Sequence, residues 1–237
     1  MRRDVILERF FNTLISGQRG DARDIVDEVL SACDDGQEVL SRLFWPTLER
    51  IQNLHRADQL SILAYNYATR LLRVLVDQMQ LRLERSEPRG KRLLLVCGPE
   101  ESEEIGAQIA CDLLEAEGYD VRFAGGGIAN DEIVAQIGEL QADILVVFGA
   151  VPSTVPFTRQ LIDRLHDIGV CPKLQIVVGG GIFNRADGLA EEIGADLWAA
   201  TPDELVLVMR EEPERRMSPS QRTVGRKRRS RRAAGAA

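Results

Sequence analysis

"RLLLVC" at residues 92–97, "GPEESEEIGAQIACDLLEAEG" at 98–118 and "YDVRFA" at 119–124 together decide the fold. A short apolar run closes on glycine, a stretch with helical spacing follows, and a second apolar run begins. Counted along the chain, the spacing predicts strands at 92–97, 120–124, 143–149, 174–178 and 196–200, each followed by a helical segment. Strand and helix alternating in this way require right-handed crossovers. They give an α/β fold, a doubly wound, five-stranded parallel sheet of Rossmann-like, flavodoxin-like type with helices on both faces. Ligands of such sheets bind beyond the carboxyl ends of the strands.

Upstream, the pattern from Val5 to Glu87 is helical. Asp21, Asp35 and Asp58 stand near plausible helix starts, and "SGQRG" and "CDDGQ" mark breaks. Leu60, Leu63, Tyr67, Leu71 and Val74 recur at helical spacing, which predicts one amphipathic helix over about 57–85. Four helices make a bundle over 3–87, "SEPRGK" at 86–91 a linker, 91–209 the α/β domain, and 210–237 a tail.

The chain of 237 residues is 44% hydrophobic, enough for a core in each part. It contains no uncharged apolar run of about 18 residues, and Asp4 and Glu8 interrupt its start, so a cytoplasmic protein without membrane contact is expected. Cys33, Cys97, Cys111 and Cys171 lie far apart, and His55 and His166 are the only histidines, which favours reduced thiols over a zinc site. Nine of the thirty basic residues fall between Arg215 and Arg232 with no acid after Glu214, so residues 1–214 carry a net charge of −16. Such a body repels nucleic acid, while the tail is expected to be disordered and either to act as a solvated extension or to contact nucleic acid or another acidic partner.

The carboxyl edge reads Gly98, Gly125-Gly126-Gly127, Gly149 and Gly179-Gly180-Gly181. Glycines there either make tight turns or clear a ledge for a flat ligand or an approaching backbone; the triplets favour the ledge. Reactive groups are sparse. No aspartate ends the third strand, so a phospho-accepting receiver is disfavoured, and neither phosphate-binding glycine motif follows the first. Glu100, Glu101, Glu103 and Glu104 would repel a pyrophosphate, and those at 103 and 104 suit the first turn of the following helix, which outweighs a divalent-metal reading. Ser153 and Thr154 have no base near them in sequence, and His166 reads as a surface or packing residue.

A four-helix cap, a linker and "LLLVCGPEESEEIGAQIACDLLEAEGYDVRFAGGGI" at 93–128 resemble the cobalamin-binding modules of methionine-synthase, corrinoid-protein and cobalamin-regulator type. "QADILVVFG" at 141–149, "IVVGGGIF" at 176–183 and "AEEIGADLWAATPDELV" at 190–206 extend the resemblance, which covers about 3–209. In that family D-x-H-x-x-G supplies cobalt's lower axial histidine. Anchored on Gly106, it falls on Glu101-Ser102-Glu103-Glu104-Ile105-Gly106, so glutamate replaces both functional residues. The S-x-L signature with its following threonine, which lines the slot for the nucleotide tail, falls on Phe148-Gly149-Ala150-Val151-Pro152, with Ser153 and Thr154 just beyond. The glycine pair over the fourth strand is kept as Gly179 and Gly180.

Where relatives shield the upper cobalt face, this cap carries His55, Tyr65 and Asn66; His55 reads as a junction residue or an upper ligand, and Trp45 and Trp198 as core or junction residues. The resemblance implies candidate cofactor contacts at Glu101, Glu103, Gly106, Gly125, Gly126, Phe148, Ser153, Thr154, Gly179 and Gly180, with no metal ligand and no catalytic residue. It implies a regulatory or sensory protein with an altered ligand site, taking cobalamin that keeps its own base or another tetrapyrrole-like ligand, with output through the cap or tail. The alternatives are a ligand-free interaction scaffold, its ledge filled by Phe148 and Phe183, and a corrinoid carrier for methyl transfer.

Overall fold

The computed structural model describes residues 3–33, 35–100, 103–183 and 188–217. The chain divides into two compact units, one ending at Ser86 and one beginning at Glu87. No helix among the described residues is long and apolar enough to cross a membrane.

The first unit is helical: α1 (Arg3–Ile15), α2 (Arg19–Cys33), α3 (Gly36–Val39), α4 (Trp45–Arg56) and α5 (Ile62–Met79). Asp35 starts α3 by accepting a hydrogen bond from Gln37 N at 2.8 Å. A π-helical stretch, Leu40–Phe44, joins α3 to α4, and Trp45 N–H donates to the Leu40 carbonyl five residues back. The widening has a cause in Pro46, which has no N–H to offer the carbonyl four residues earlier and whose ring would strike it. Phe10 and Phe44, both fully buried, stack with ring centroids 5.5 Å apart at the centre of this unit.

Asp58 does not start α5: it has a left-handed φ of 55° in the preceding turn, and Ser61 caps the helix by accepting from Ala64 N. The expected stripe is also displaced. Leu71 is buried, but Leu63 and Tyr67 are exposed (57% and 46%), and the buried face is Ala68, Leu71, Leu72, Leu75, Val76 and Met79. Apolar residues occupy two adjacent faces of α5, and packing against α1 and α4 selects between them, which periodicity alone does not do.

The second unit is a five-stranded parallel sheet of order β2-β1-β3-β4-β5, with β1 (Arg92–Cys97), β2 (Asp120–Gly125), β3 (Ile144–Phe148), β4 (Gln175–Gly179) and β5 (Leu197–Ala199). These bounds lie within a residue or two of the sequence expectation. Every residue of β3 and β4 is buried, as a sheet covered on both faces requires. The remaining helices are α6 (Glu104–Ala116), α7 (Asn130–Leu140), α8 (Thr154–Ile168), α9 (Leu189–Ile193) and α10 (Pro202–Glu211). Leu94, Val96, Leu145, Val147, Ile176 and Val178 form one core with Ile133 and Ile137 of α7, Leu161, Ile162 and Leu165 of α8, and Phe183.

Three expectations change at the margins. Half of "SEPRGK" is attached rather than free, since Arg89 N donates to Gly118 O at 2.8 Å and its guanidinium pairs with the Glu117 carboxylate at 2.6 Å. Residues 210–217, expected with the tail, complete α10 and then run along the sheet's amino end. There the buried Gln175 donates to Arg215 O at 3.2 Å, and Met217 N donates to Asp196 Oδ1 at 2.6 Å. The tail from 218 lies outside the described residues. Trp45 is buried as expected, but Trp198, at 39%, belongs to the exposed edge strand β5 and not to a core.

Phe44→Ala removes half of the central stack and should cost the helical unit about 3–5 kcal/mol, read as a lowered urea midpoint with an unchanged slope.

Candidate functional site

The strand order reverses between β1 and β3, so the loops leaving their carboxyl ends diverge and open the crevice in which doubly wound sheets bind ligands. Here one side chain bridges it. Glu103, the residue before α6, is 2% exposed, and its carboxylate crosses to the β3–α8 loop. Oε1 accepts from Ala150 N at 2.5 Å, Val151 N at 3.1 Å and Thr154 Oγ1 at 2.7 Å. Oε2 is buried without a hydrogen-bond partner. A second, exposed bridge lies beside the first, with Ser153 Oγ donating to Glu100 Oε1 at 3.0 Å. Glu103 therefore does not serve the start of its own helix, as its position in sequence suggested, while Glu104 keeps that place in the first turn of α6.

Glycine permits the bridge. A Cβ on Gly98 would collide with Glu103 Oε2 and Thr154 Oγ1, and one on Gly149 with the Thr154 side chain. Along the same edge, a Cβ on Gly179 would lie 2.6 Å from the ring of Phe148, and one on Gly180 would strike the Gly149 carbonyl. The strand ends are drawn together by Gly149 N to Gly179 O (2.8 Å) and Gly180 N to Ala199 O (2.9 Å). Gly126 meets Gly98 O, where a Cβ would be 2.8 Å away, whereas Gly127 and Gly181 face open space. The expected clear ledge is thus open only at those two outer positions, and elsewhere the glycines admit the chain's own loops and the Phe148 ring.

Of the candidate contacts, Glu103, Ser153 and Thr154 meet at the switch point, and Phe148, Gly179 and Gly180 form the wall beside it. Gly106 is buried in α6, and Gly125, with a φ of 80°, ends β2 with Glu104 Oε1 3.3 Å from the position of its Cβ. Glu101 lies outside the described residues. Phe183 belongs to the core against α7 and α8. Glu100 and the N–H groups of Ala150 and Val151 were not foreseen, because about fifty residues separate them from their partners and nothing local marks the pairing. In the helical unit, His55 stacks on Tyr65 with centroids 4.0 Å apart, and its buried Nδ1 has no hydrogen-bond partner, so stacking replaces the hydrogen bonds expected of a junction histidine. Asn66 is exposed on α5, and His166 is exposed near the end of α8.

Burial holds the Glu103 carboxyl above its ordinary value of 4.5, outweighing the opposing hydrogen bonds from the Thr154 hydroxyl and the backbone N–H groups of Ala150, Val151 and Glu100. A carboxyl with a higher pKa folded than unfolded stabilises the fold in its protonated form. That contribution is complete below 4.5 and is lost as pH rises through the folded value. The stability of the wild type relative to Glu103→Gln should therefore fall with rising pH above 4.5 and then level off. Urea denaturation of both proteins from about pH 4 to about pH 9 measures it, and a pH-independent difference would contradict the assignment.

Residues 91–207 match the family model of the B12 binding domain. Among curated proteins, a corrinoid protein from Desulfitobacterium hafniense is 32% identical over 126 residues, 52% of this chain and 56% of its own length. Dimethylamine corrinoid protein 3 from Methanosarcina mazei is 27% identical over 108 residues, 46% of this chain and 64% of its own. The chain thus spans between about half and two thirds of the length of these relatives. Among solved structures, the monomethylamine corrinoid protein of Methanosarcina barkeri shares the fold with a TM-score of 0.66 at 16% identity, over 88% of this chain and 98% of that one. Through residues 91–207, which lie in its α/β unit, the chain belongs to the B12-binding domain family.

Proposed function

We propose that the chain is a non-catalytic, regulatory corrinoid-binding module that takes cobalamin with the cofactor's own base on cobalt and supplies no protein ligand. The observation that carries this reading is the commitment of Glu103. It stands where the family's motif places the axial histidine, and its carboxylate is buried and held by two backbone N–H groups and the Thr154 hydroxyl. A carboxylate is a poor substitute for imidazole at cobalt, and this one is turned into the protein. The residues present therefore do not fit histidine-ligated cobalamin.

Phe148 supports the same reading from the tail side. The histidine-ligated mode needs a slot for the displaced nucleotide tail, and the Phe148 ring lies against Gly179 where the family places a hydroxyl. Cobalamin that keeps its base holds the tail folded beneath its own ring and asks only for space at the edge, which Gly127 and Gly181 leave open. The curated relatives are corrinoid proteins, several of them with names that refer to dimethylamine, which favours a methyl-carrying role as the second reading. Carriage of methyl groups depends on control of the lower cobalt ligand, and the residue at that position is engaged elsewhere.

Purified protein incubated with hydroxocobalamin should retain corrinoid through desalting. After reduction to cob(II)alamin, electron paramagnetic resonance of ¹⁵N-labelled protein should still show the splitting of the cofactor's own ¹⁴N. A ¹⁵N splitting would restore a protein ligand and the carrier reading; a colourless protein would favour the ligand-free scaffold.

Output belongs to the same proposal, with a protein partner at the helical unit, whose α5 exposes Ile62, Leu63 and Tyr67, and an acidic partner such as nucleic acid at the tail. Because residues 212–217 are bound to the sheet, truncation after Met217 is the informative cut, and it removes seven of the nine basic residues between Arg215 and Arg232. It should abolish salt-sensitive retention on heparin and on duplex DNA while leaving the melting temperature unchanged.

A further inference from the structure

The three donors that hold Glu103 make a receptor, and the glutamate is an imperfect guest in it. Ala150 N, Val151 N and Thr154 Oγ1 converge on a single oxygen, Oε1, just ahead of the 15-residue helix α8. This is an arrangement of oriented neutral donors that suits one carboxyl oxygen, in a setting whose burial also favours the carboxyl's proton. The guest's other oxygen, Oε2, is buried with no hydrogen-bond partner in good geometry, and the Glu100 backbone N–H acts on the carboxyl only weakly. Fastening two loops does not require that oxygen to be desolvated without a partner, which is unfavourable for a carboxylate.

Three further features define the receptor. Its walls are Gly98 and Gly149, and a Cβ on either would collide with Glu103 or Thr154, so glycine at both positions is what leaves room for the carboxylate. Its floor donor, Thr154, is fully buried and fixed, its own carbonyl accepting from Thr158 Oγ1 at 2.7 Å. Its position between the ends of β1 and β3 is the switch point where ligands of this architecture enter.

We propose that Ala150 N, Val151 N and Thr154 Oγ1 form a carboxylate-binding site, that Glu103 is its built-in occupant, and that an external carboxylate takes the same donors when the Glu103 side chain withdraws. Glu103 is in this sense an internal competitor, holding the β1–α6 and β3–α8 loops together until a carboxylate-bearing ligand displaces it. The site uses no atom of a corrinoid. It stands or falls separately from the cobalamin reading, and a colourless protein in that experiment leaves it intact.

The experiment is chemical rescue of Glu103→Ala with acetate. Melting temperatures are measured at about pH 7 in acetate and in chloride at matched ionic strength, which removes general screening. The variant should melt lower than the wild type in chloride and recover saturably with acetate, as a ligand that binds only the folded state requires. The wild type, whose site is occupied, and Glu103→Ala/Thr154→Val, which lacks a donor, should show no acetate-specific rise. In ¹⁵N spectra of the variant, the Ala150 and Val151 amides should shift with the same saturation curve. Absence of acetate-specific recovery, or an equal rise in the wild type, would overturn the proposal. If Glu103→Ala does not fold in chloride, refolding in acetate decides: native far-ultraviolet circular dichroism in acetate alone supports the site, and failure in both salts rejects it.

Discussion

One buried carboxylate ties together the part of this protein from which function is read. Glu103 spans the crevice between the ends of β1 and β3, and the glycines on either side, the first turn of α8 and the shape of the sheet edge are arranged around it. Its burial is costly in isolation, because a carboxyl removed from water loses its hydration. Two amides and a hydroxyl offset part of that cost at Oε1, and burial still leaves the group with a raised affinity for protons.

Under the proposed function, the consequence for cofactor chemistry follows from geometry more than from the identity of the residue. A glutamate reaching out of the loop would still offer an oxygen to a metal, whereas one turned inward offers nothing. Phe148 acts in the same direction, since its ring occupies the space above Gly179 and makes the edge apolar where the family's pattern has a hydroxyl. Two features that look like independent losses in the sequence are neighbours in space, one closing the crevice between β1 and β3 and the other the wall between β3 and β4.

The opposite end of the sheet is closed by the chain's own margins. Arg89 is tied to the turn after α6, and the stretch after α10 returns beneath β4 to Gln175 and Asp196. The described chain thus ends at Met217, at the amino end of the sheet and away from the carboxyl edge.

The sequence by itself determined the sheet, its five strands nearly to the residue, and the family, because buried parallel strands leave continuous apolar runs and their ends are punctuated by glycine. It determined less in the helical unit, where Leu63 and Tyr67 share the helical period of the true core residues and only packing against α1 and α4 separates the faces. Glu103 and Thr154 were both visible as candidates, yet their pairing was not, and Thr154 read as a hydroxyl without a carboxylate near it. A hydrogen bond across 51 residues leaves no mark on local pattern. Only the crossover that places β1 beside β3 brings the two loops within reach, so the tertiary structure alone decided that the carboxylate points inward.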